Sequence, residues 1–337
     1  MNIVLVIMVK MMIVNSDFKP AWWLISSHGQ TLYPTLTRNI KAPVDLFERI
    51  ELPDGDFIDL AWAINGLDSQ TPVVILLHGL GGSVESSYAA GLMQAFNHCG
   101  WRAVLMHFRG ASSEPNRLPR AYHTGDTGDV DYFIRRLAER EPQTKKAIVG
   151  VSLGGNVLLK WLGEQGTQQL ISAAVAVSVP FQPRLVADKI GSGFSRIYQA
   201  YLLRRMKSVF ERKKAFFADK EIPQIYKDMD KCHCFWTFDE CVTAPLHGFP
   251  HVHAYYKAAS SRPYIAKITT QTLIIHALDD PFMTPDIIPA EEELSQDVTL
   301  ELSAKGGHVG FISGRLPGKP VYWLEQRIPD YLKQILA

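Results

Sequence analysis

The sequence predicts an α/β protein with a mostly parallel central sheet, helices on both faces and one helical insertion. Three observations predict it. From about residue 43, short apolar stretches of β character alternate with amphipathic helical stretches, the pattern of a parallel sheet buried on both sides. One such strand runs straight into Gly150-Val151-Ser152-Leu153-Gly154, and a helical stretch follows at once. Between Pro180 and about Arg262 the alternation stops, and then it resumes.

Taken in order, Phe57 to Ala63 reads as a strand, Pro72 to Leu77 as a fully apolar one and Ala103 to Phe108 as a third. The stretch Ser86 to Cys99 is helical, and Val130 to Arg140 is a further amphipathic helix. The strand from Ala147 comes next, then Ser172 to Val179, Thr272 to Ala277 and Asp297 to Leu302, with a closing helix from about Tyr322. The core is therefore expected at 43–180 and 263–337. Residues 181–262 form a helical cap or lid over the carboxyl edge of the sheet, where sites of such folds lie. Residues 1–42 are an extension that packs on the core.

Bulk properties narrow the function. A chain of 337 residues with 47% hydrophobic and 20% charged residues is an ordinary globular composition. A formal charge of +1 argues against a nucleic-acid binder. Cys99, Cys232, Cys234 and Cys241 are too few and too scattered for a disulfide framework, which favours a reducing compartment and a cytoplasmic location. Met1 to Val14 is nearly all apolar but holds Lys10 and is too short to span a bilayer. It reads as a buried or edge strand, as a membrane-touching anchor, or as an over-long start. The basic first half of the insertion, Arg184 to Lys214, reads as a solvated helix face or as a surface for anionic lipid or substrate.

The chemistry is carried by three residues in order. A serine on a tight strand-to-helix turn projects clear of the backbone, and the glycines beside it leave room for the neighbouring strand and helix. A serine hydroxyl also needs a base, and that base needs an oriented partner. Asp279-Asp280-Pro281-Phe282 follows one late strand, and Gly306-Gly307-His308-Val309-Gly310 follows the next. The order Ser152, Asp280, His308 is that of α/β-hydrolases. Asp280 is preferred over Asp279 because it stands further from the strand end and directly before Pro281. His78-Gly79-Leu80-Gly81-Gly82 follows the apolar strand ending at Leu77, and the N–H groups of Leu80 and Leu153 are the candidate oxyanion donors. His78 reads as a residue that holds this turn.

The remaining residue clusters read as structural. Cys232-His233-Cys234, with Cys241 and His247, lacks a paired Cys-x-x-Cys spacing and gives no metal site. His107, His123, His251 and His253 read as structural or surface, and Trp22, Trp23, Trp236, Tyr255 and Tyr256 as packing. No cofactor is called for.

On Glu51-Leu52-Pro53-Asp54-Gly55-Asp56, His78-Gly79-Leu80-Gly81-Gly82-Ser83, Met106-His107-Phe108-Arg109-Gly110, Gly150 to Asn156, His276 to Phe282 and Gly306 to Phe311, the chain resembles the AB hydrolase type-4 family, α/β-hydrolases that include the bacterial YheT-like hydrolases. The resemblance runs from about Phe18 to the C-terminus. It departs at Ser27-His28-Gly29-Gln30-Thr31, where Gly29 replaces the usual Leu, and in the apolar start. It implies a Ser-Asp-His triad and carboxylic-ester hydrolysis by Ser152, Asp280 and His308. The expected reaction is ester cleavage through an acyl-enzyme, on a small-molecule or lipid ester. The alternatives are acyl transfer to an alcohol, a lipid or monoacylglycerol lipase, and a non-catalytic ligand receptor on the same fold.

Overall fold

The computed structural model describes residues 11–216 and 229–337. Nine strands form one sheet: β1 (Ile13–Asn15), β2 (Leu46–Glu51), β3 (Phe57–Ala63), β4 (Val73–Leu77), β5 (Arg102–Met106), β6 (Lys146–Val151), β7 (Ala173–Val177), β8 (Thr272–Ala277) and β9 (Val298–Ser303). Their order is β1-β9-β8-β7-β6-β4-β5-β3-β2. Only β3 runs against its neighbours, pairing antiparallel with both β2 and β5. The fold is that of the α/β-hydrolases.

The sheet is apolar on both faces because it is covered on both. Along β4, Val73, Ile75 and Leu77 enter one core cluster while Val74 and Leu76 enter the other. A fully buried aliphatic side chain contributes about 1.5–3 kcal/mol, so the continuous apolar run of β4 places it at the centre. Helices α3 (Gly128–Arg140) and α4 (Leu153–Glu164) supply Phe133, Val157 and Trp161 to the first face. On the second face, α2 (Ser87–His98) and the C-terminal helix Leu324–Leu336 supply Phe96 and Ile328.

Between β7 and β8 the regular elements among the described residues are all helical. They include α5 (Pro183–Ile190), α6 (Arg196–Phe216), the short helices Phe235–Phe238 and Ala244–Leu246, and α7 (Val252–Ala259). Ile190, Tyr198, Leu203, Phe210, Phe238 and Tyr255 make a third apolar cluster, and Leu80 and Phe282 pack against its edge. Lys213 of α6 is buried, and its ammonium donates to the carbonyls of Leu118, Pro119 and Arg120, which ties this region to the loop after β5. That loop is held in turn by Arg109, which bridges Asp54, Asp56 and Asp129.

The N-terminal segment joins the sheet edge, with Ile13 to Asn15 parallel to Leu300 to Leu302. Residues 1–10, most of the apolar start, lie outside the described residues, as do Phe217 and the rest of 217–228. Helix α1 (Ser27–Thr37) then packs beside the late loops. Among the described residues, no helix is long and apolar enough to cross a membrane.

Candidate active site

The turn after β6 is built for close approach. Ser152 has φ +53° and ψ −118°, a left-handed value that a non-glycine residue adopts only when its surroundings impose it. Here β6 and α4 are both fixed by burial. A Cβ on Gly154 would lie 2.4 Å from the Leu77 carbonyl oxygen, and one on Gly150 would lie 2.5 Å from the Gly154 oxygen. Both glycines are therefore required by contact, and the serine between them is pressed outward at the C-terminal end of the sheet.

His308 reaches that serine. Its Nε2 lies 2.8 Å from Ser152 Oγ, and its Nδ1 lies 2.7 Å from Asp280 Oδ2. A carboxylate only accepts, so Nδ1 carries the proton and Nε2 is left to accept from the serine hydroxyl. The second carboxylate oxygen of Asp280 accepts the Phe282 N–H at 2.8 Å. The Phe282 ring stacks on the imidazole, with centroids 4.1 Å apart and planes 17° apart. Asp279 points elsewhere: it accepts the Gly307 N–H at 3.0 Å, and its burial pushes its carboxyl above the usual range. The two adjacent acids thus divide the work, Asp280 facing the imidazole and Asp279 the loop that carries it.

The His308 loop has further supports. The Thr31 hydroxyl accepts the His308 N–H at 3.0 Å, and the Ser178 hydroxyl donates to the His308 carbonyl. Gln30, fully buried, donates to the carbonyls of Leu24 and Ile312 at 2.8 and 2.9 Å and accepts the Ile312 N–H at 2.6 Å. A Cβ on Gly310 would strike the Gln30 carbonyl at 2.0 Å. The run Ser27 to Thr31 is therefore a seat for the histidine loop.

The turn after β4 lies over the serine: a Cβ on Gly79 would stand 3.4 Å from the Cβ of Ser152. Two tyrosines fix its amides. The Gly79 N–H donates to Tyr88 Oη and the Gly81 N–H to Tyr122 Oη, each at 2.8 Å. Between them, the Leu80 N–H has no hydrogen bond among the described residues, nor has that of Leu153 at the start of α4. His78 anchors the turn. Its Nε2 accepts the Phe108 N–H at 3.2 Å, its Nδ1 donates to the Gly79 carbonyl at 2.7 Å, and burial pushes it down to about 3. Tyr88 and Tyr122 escaped the sequence reading. Neither lies in a motif, and only the tertiary fold aims their hydroxyls at the turn.

Other histidines serve the scaffold. His107 accepts the Val84 N–H, and His251 accepts the Ala254 N–H at the start of α7. His123, Asp126 and His247 bring potential ligand atoms within 4.8 Å of one another. His123 Nδ1 accepts the Gly125 N–H at 3.1 Å, which leaves the ring proton on Nε2, and Asp126 is bound by Arg120 at 2.7 Å. Burial pushes His123 down to about 4 and His247 to about 3. The two rings meet edge to face, with centroids 4.4 Å apart.

Residues 72–218 match the Abhydrolase_1 family, described as the alpha/beta hydrolase fold. The chain is 42% identical, over 96% of its length and 94% of the other, to a protein of Escherichia coli (strain K12) named "Putative esterase YheT". The chain belongs to the α/β-hydrolase superfamily. It is also 30% identical to "Phospholipase ABHD3" of Mus musculus, over 92% of this chain and 77% of that one. The solved structure of Est1E from Butyrivibrio proteoclasticus, with ferulic acid bound, superposes with a TM-score of 0.56 at 12% identity. It covers 87% of this chain and 99% of the other and shares the fold. By these likenesses the chain is an α/β hydrolase of the esterase and lipase type.

Proposed function

We propose that the protein hydrolyses carboxylic esters through an acyl-enzyme on Ser152. The observation that carries this reading is the unbroken line from Ser152 Oγ to His308 Nε2 and from His308 Nδ1 to Asp280, at 2.8 and 2.7 Å, on a serine held at positive φ. The Ser152 oxygen attacks the acyl carbon while its proton passes to His308 Nε2. The resulting oxyanion is received by the N–H groups of Leu80 and Leu153, whose loss costs about 10²–10³ in rate per donor. His308 then gives its proton to the leaving alcohol, and the acyl group remains on Ser152. A water molecule, deprotonated by the same nitrogen, releases the acid. Asp280 holds the imidazole in the tautomer that this cycle needs.

Lipid esters are the favoured substrates within this reading. The helical region after β7 offers an apolar cluster whose edge, at Leu80 and Phe282, meets the site. An acyl chain lying there would gain about 0.8 kcal/mol per buried CH₂. Turnover of p-nitrophenyl esters of increasing chain length tests the reading. Hydrolysis by the parent and its loss in a folded Ser152→Ala variant support it, together with organophosphonate labelling of Ser152. Full turnover by Ser152→Ala refutes it.

A further inference from the structure

A cavity of about 920 Å³ opens beside the turn after β4, lined in part by Gly81, Gly82, Ser83, Ser112, Ser113 and Ser208. Helix α6 closes one side and presents Arg204, Arg205 and Arg212 to it. None of these three arginines has a carboxylate partner among the described residues. The acids in the same wall are mostly spoken for. Glu48 accepts from Arg140 and from the Trp62 indole, each at 2.8 Å, and Asp59 binds Arg49 at 2.7 Å. Glu85 is the one remaining lining acid without an ion pair among the described residues.

The arginines are placed, not merely solvated. Arg205 Nε donates to the Gly81 carbonyl at 2.8 Å and its Nη1 to Tyr201 Oη at 3.1 Å, which fixes the plane of the guanidinium and leaves Nη2 for another acceptor. Arg212 reaches the carbonyls of Ser112, Ser113 and Gly110 only at 3.3–3.4 Å. Such long bonds to neutral acceptors yield readily to an anionic oxygen, whose charge-assisted bonds are shorter and about twice as strong. Arg204 makes no hydrogen bond among the described residues. Several donors from forked guanidinium groups, beside the hydroxyls of Ser83 and Ser113, match the oxygens of a phosphate group.

The cavity is larger than an inorganic phosphate requires and falls within the ~300–1,000 Å³ of small-molecule sites. Phe47, Val84, Ala111, Tyr122 and Val209 supply apolar wall. We propose that this cavity is a binding site for an organic phosphate, with the phosphate held by Arg204, Arg205 and Arg212 and its apolar body against the facing wall. Because Arg205 also holds the Gly81 carbonyl, the occupant touches the turn that carries Leu80, and the site is coupled to the reaction centre through one side chain. The site itself does not depend on ester hydrolysis.

Calorimetric titration with hexyl phosphate, inorganic phosphate and 1-hexanol tests it without turnover. Hexyl phosphate is expected to bind at one saturable site, at least ten times more tightly than inorganic phosphate and more weakly as salt rises, while 1-hexanol shows no saturable binding. In Arg204→Gln/Arg212→Gln, with unchanged circular dichroism, the affinity falls at least tenfold; Arg204→Lys/Arg212→Lys retains an intermediate affinity. Competition by phosphatidate vesicles, but not by phosphatidylcholine vesicles, assigns the phosphate to a lipid headgroup; absence of competition assigns it to a soluble ligand. No saturable binding of hexyl phosphate, or an unchanged affinity in the folded double Gln variant, overturns the proposal.

Discussion

Replacing Tyr122 by Phe removes one oxygen and nothing else, yet the structure makes that oxygen the acceptor for Gly81, one residue beyond the Leu80 amide. Burial pushes that hydroxyl up to about 12. Leaving the Gly81 N–H unpaired costs about 1–3 kcal/mol. If that cost is relieved by a shift of the turn, the Leu80 N–H loses its aim on the oxyanion. Passed entirely to the transition state, 1–3 kcal/mol is a kcat loss of about 5- to 150-fold. Tyr88→Phe frees the Gly79 N–H in the same way from the other side, and the double variant releases both clamps. The assay is steady-state hydrolysis of a short p-nitrophenyl ester alongside thermal melting. A fall in kcat with KM nearly unchanged is expected, because the donors act on charge that develops after binding. A double variant that melts earlier but keeps kcat within twofold of the parent refutes the reasoning: the turn would then hold its aim without the tyrosines.

The two adjacent acids separate in a second experiment: Asp280→Asn is expected to lower kcat by about 10⁴, through the wrong imidazole tautomer, while Asp279→Asn loosens only the Gly307 anchor and costs far less; reversed effects would exchange their roles. Gly154→Ala is expected to lose at least ~3 kcal/mol of stability or fail to fold, since the new methyl meets backbone oxygen at 2.4 Å that cannot swing aside, and an unchanged melting temperature would contradict that packing. Asp239, buried against the hydroxyls of Thr243 and Tyr256, has its carboxyl pushed up to about 6. The folded state therefore binds this proton more tightly than the unfolded state, and stability falls as pH rises from about 4 to about 6. Asp239→Asn is expected to flatten that part of the melting profile, and an unaltered slope would remove the assignment.

What could be read from the sequence follows from where each segment lies. The central strands β4, β6, β7 and β8 are apolar on both faces and announce themselves. Strand β2, Leu46 to Glu51, lies at the sheet edge with Leu46, Phe47, Arg49 and Glu51 all exposed and only Ile50 buried, so no apolar alternation marks it. Helix α1 carries Pro34 and no acid in its first turn, and β1 has three residues whose partner is β9, near the far end of the chain. At the candidate site, Ser152, the acid pair and His308 stood out because each follows a strand in a Gly- or Asp-rich turn. The side chains that aim them did not. Tyr88, Tyr122, Thr31 and Ser178 act through single hydroxyls whose targets lie in other segments, and no local spacing encodes that.

The seat formed by Gln30 has a bearing on how the molecule comes into being. Its partner Ile312 is 282 residues away along the chain. At a synthesis rate of about 5–20 residues per second, Gln30 emerges roughly 15–60 s before the backbone it must grip exists. Ser152 and its neighbouring strand β7 are made only about midway through that interval, and His308 only at its close. On the proposed mechanism, the serine therefore lacks a seated base until Gln30 and the backbone at Ile312 come together.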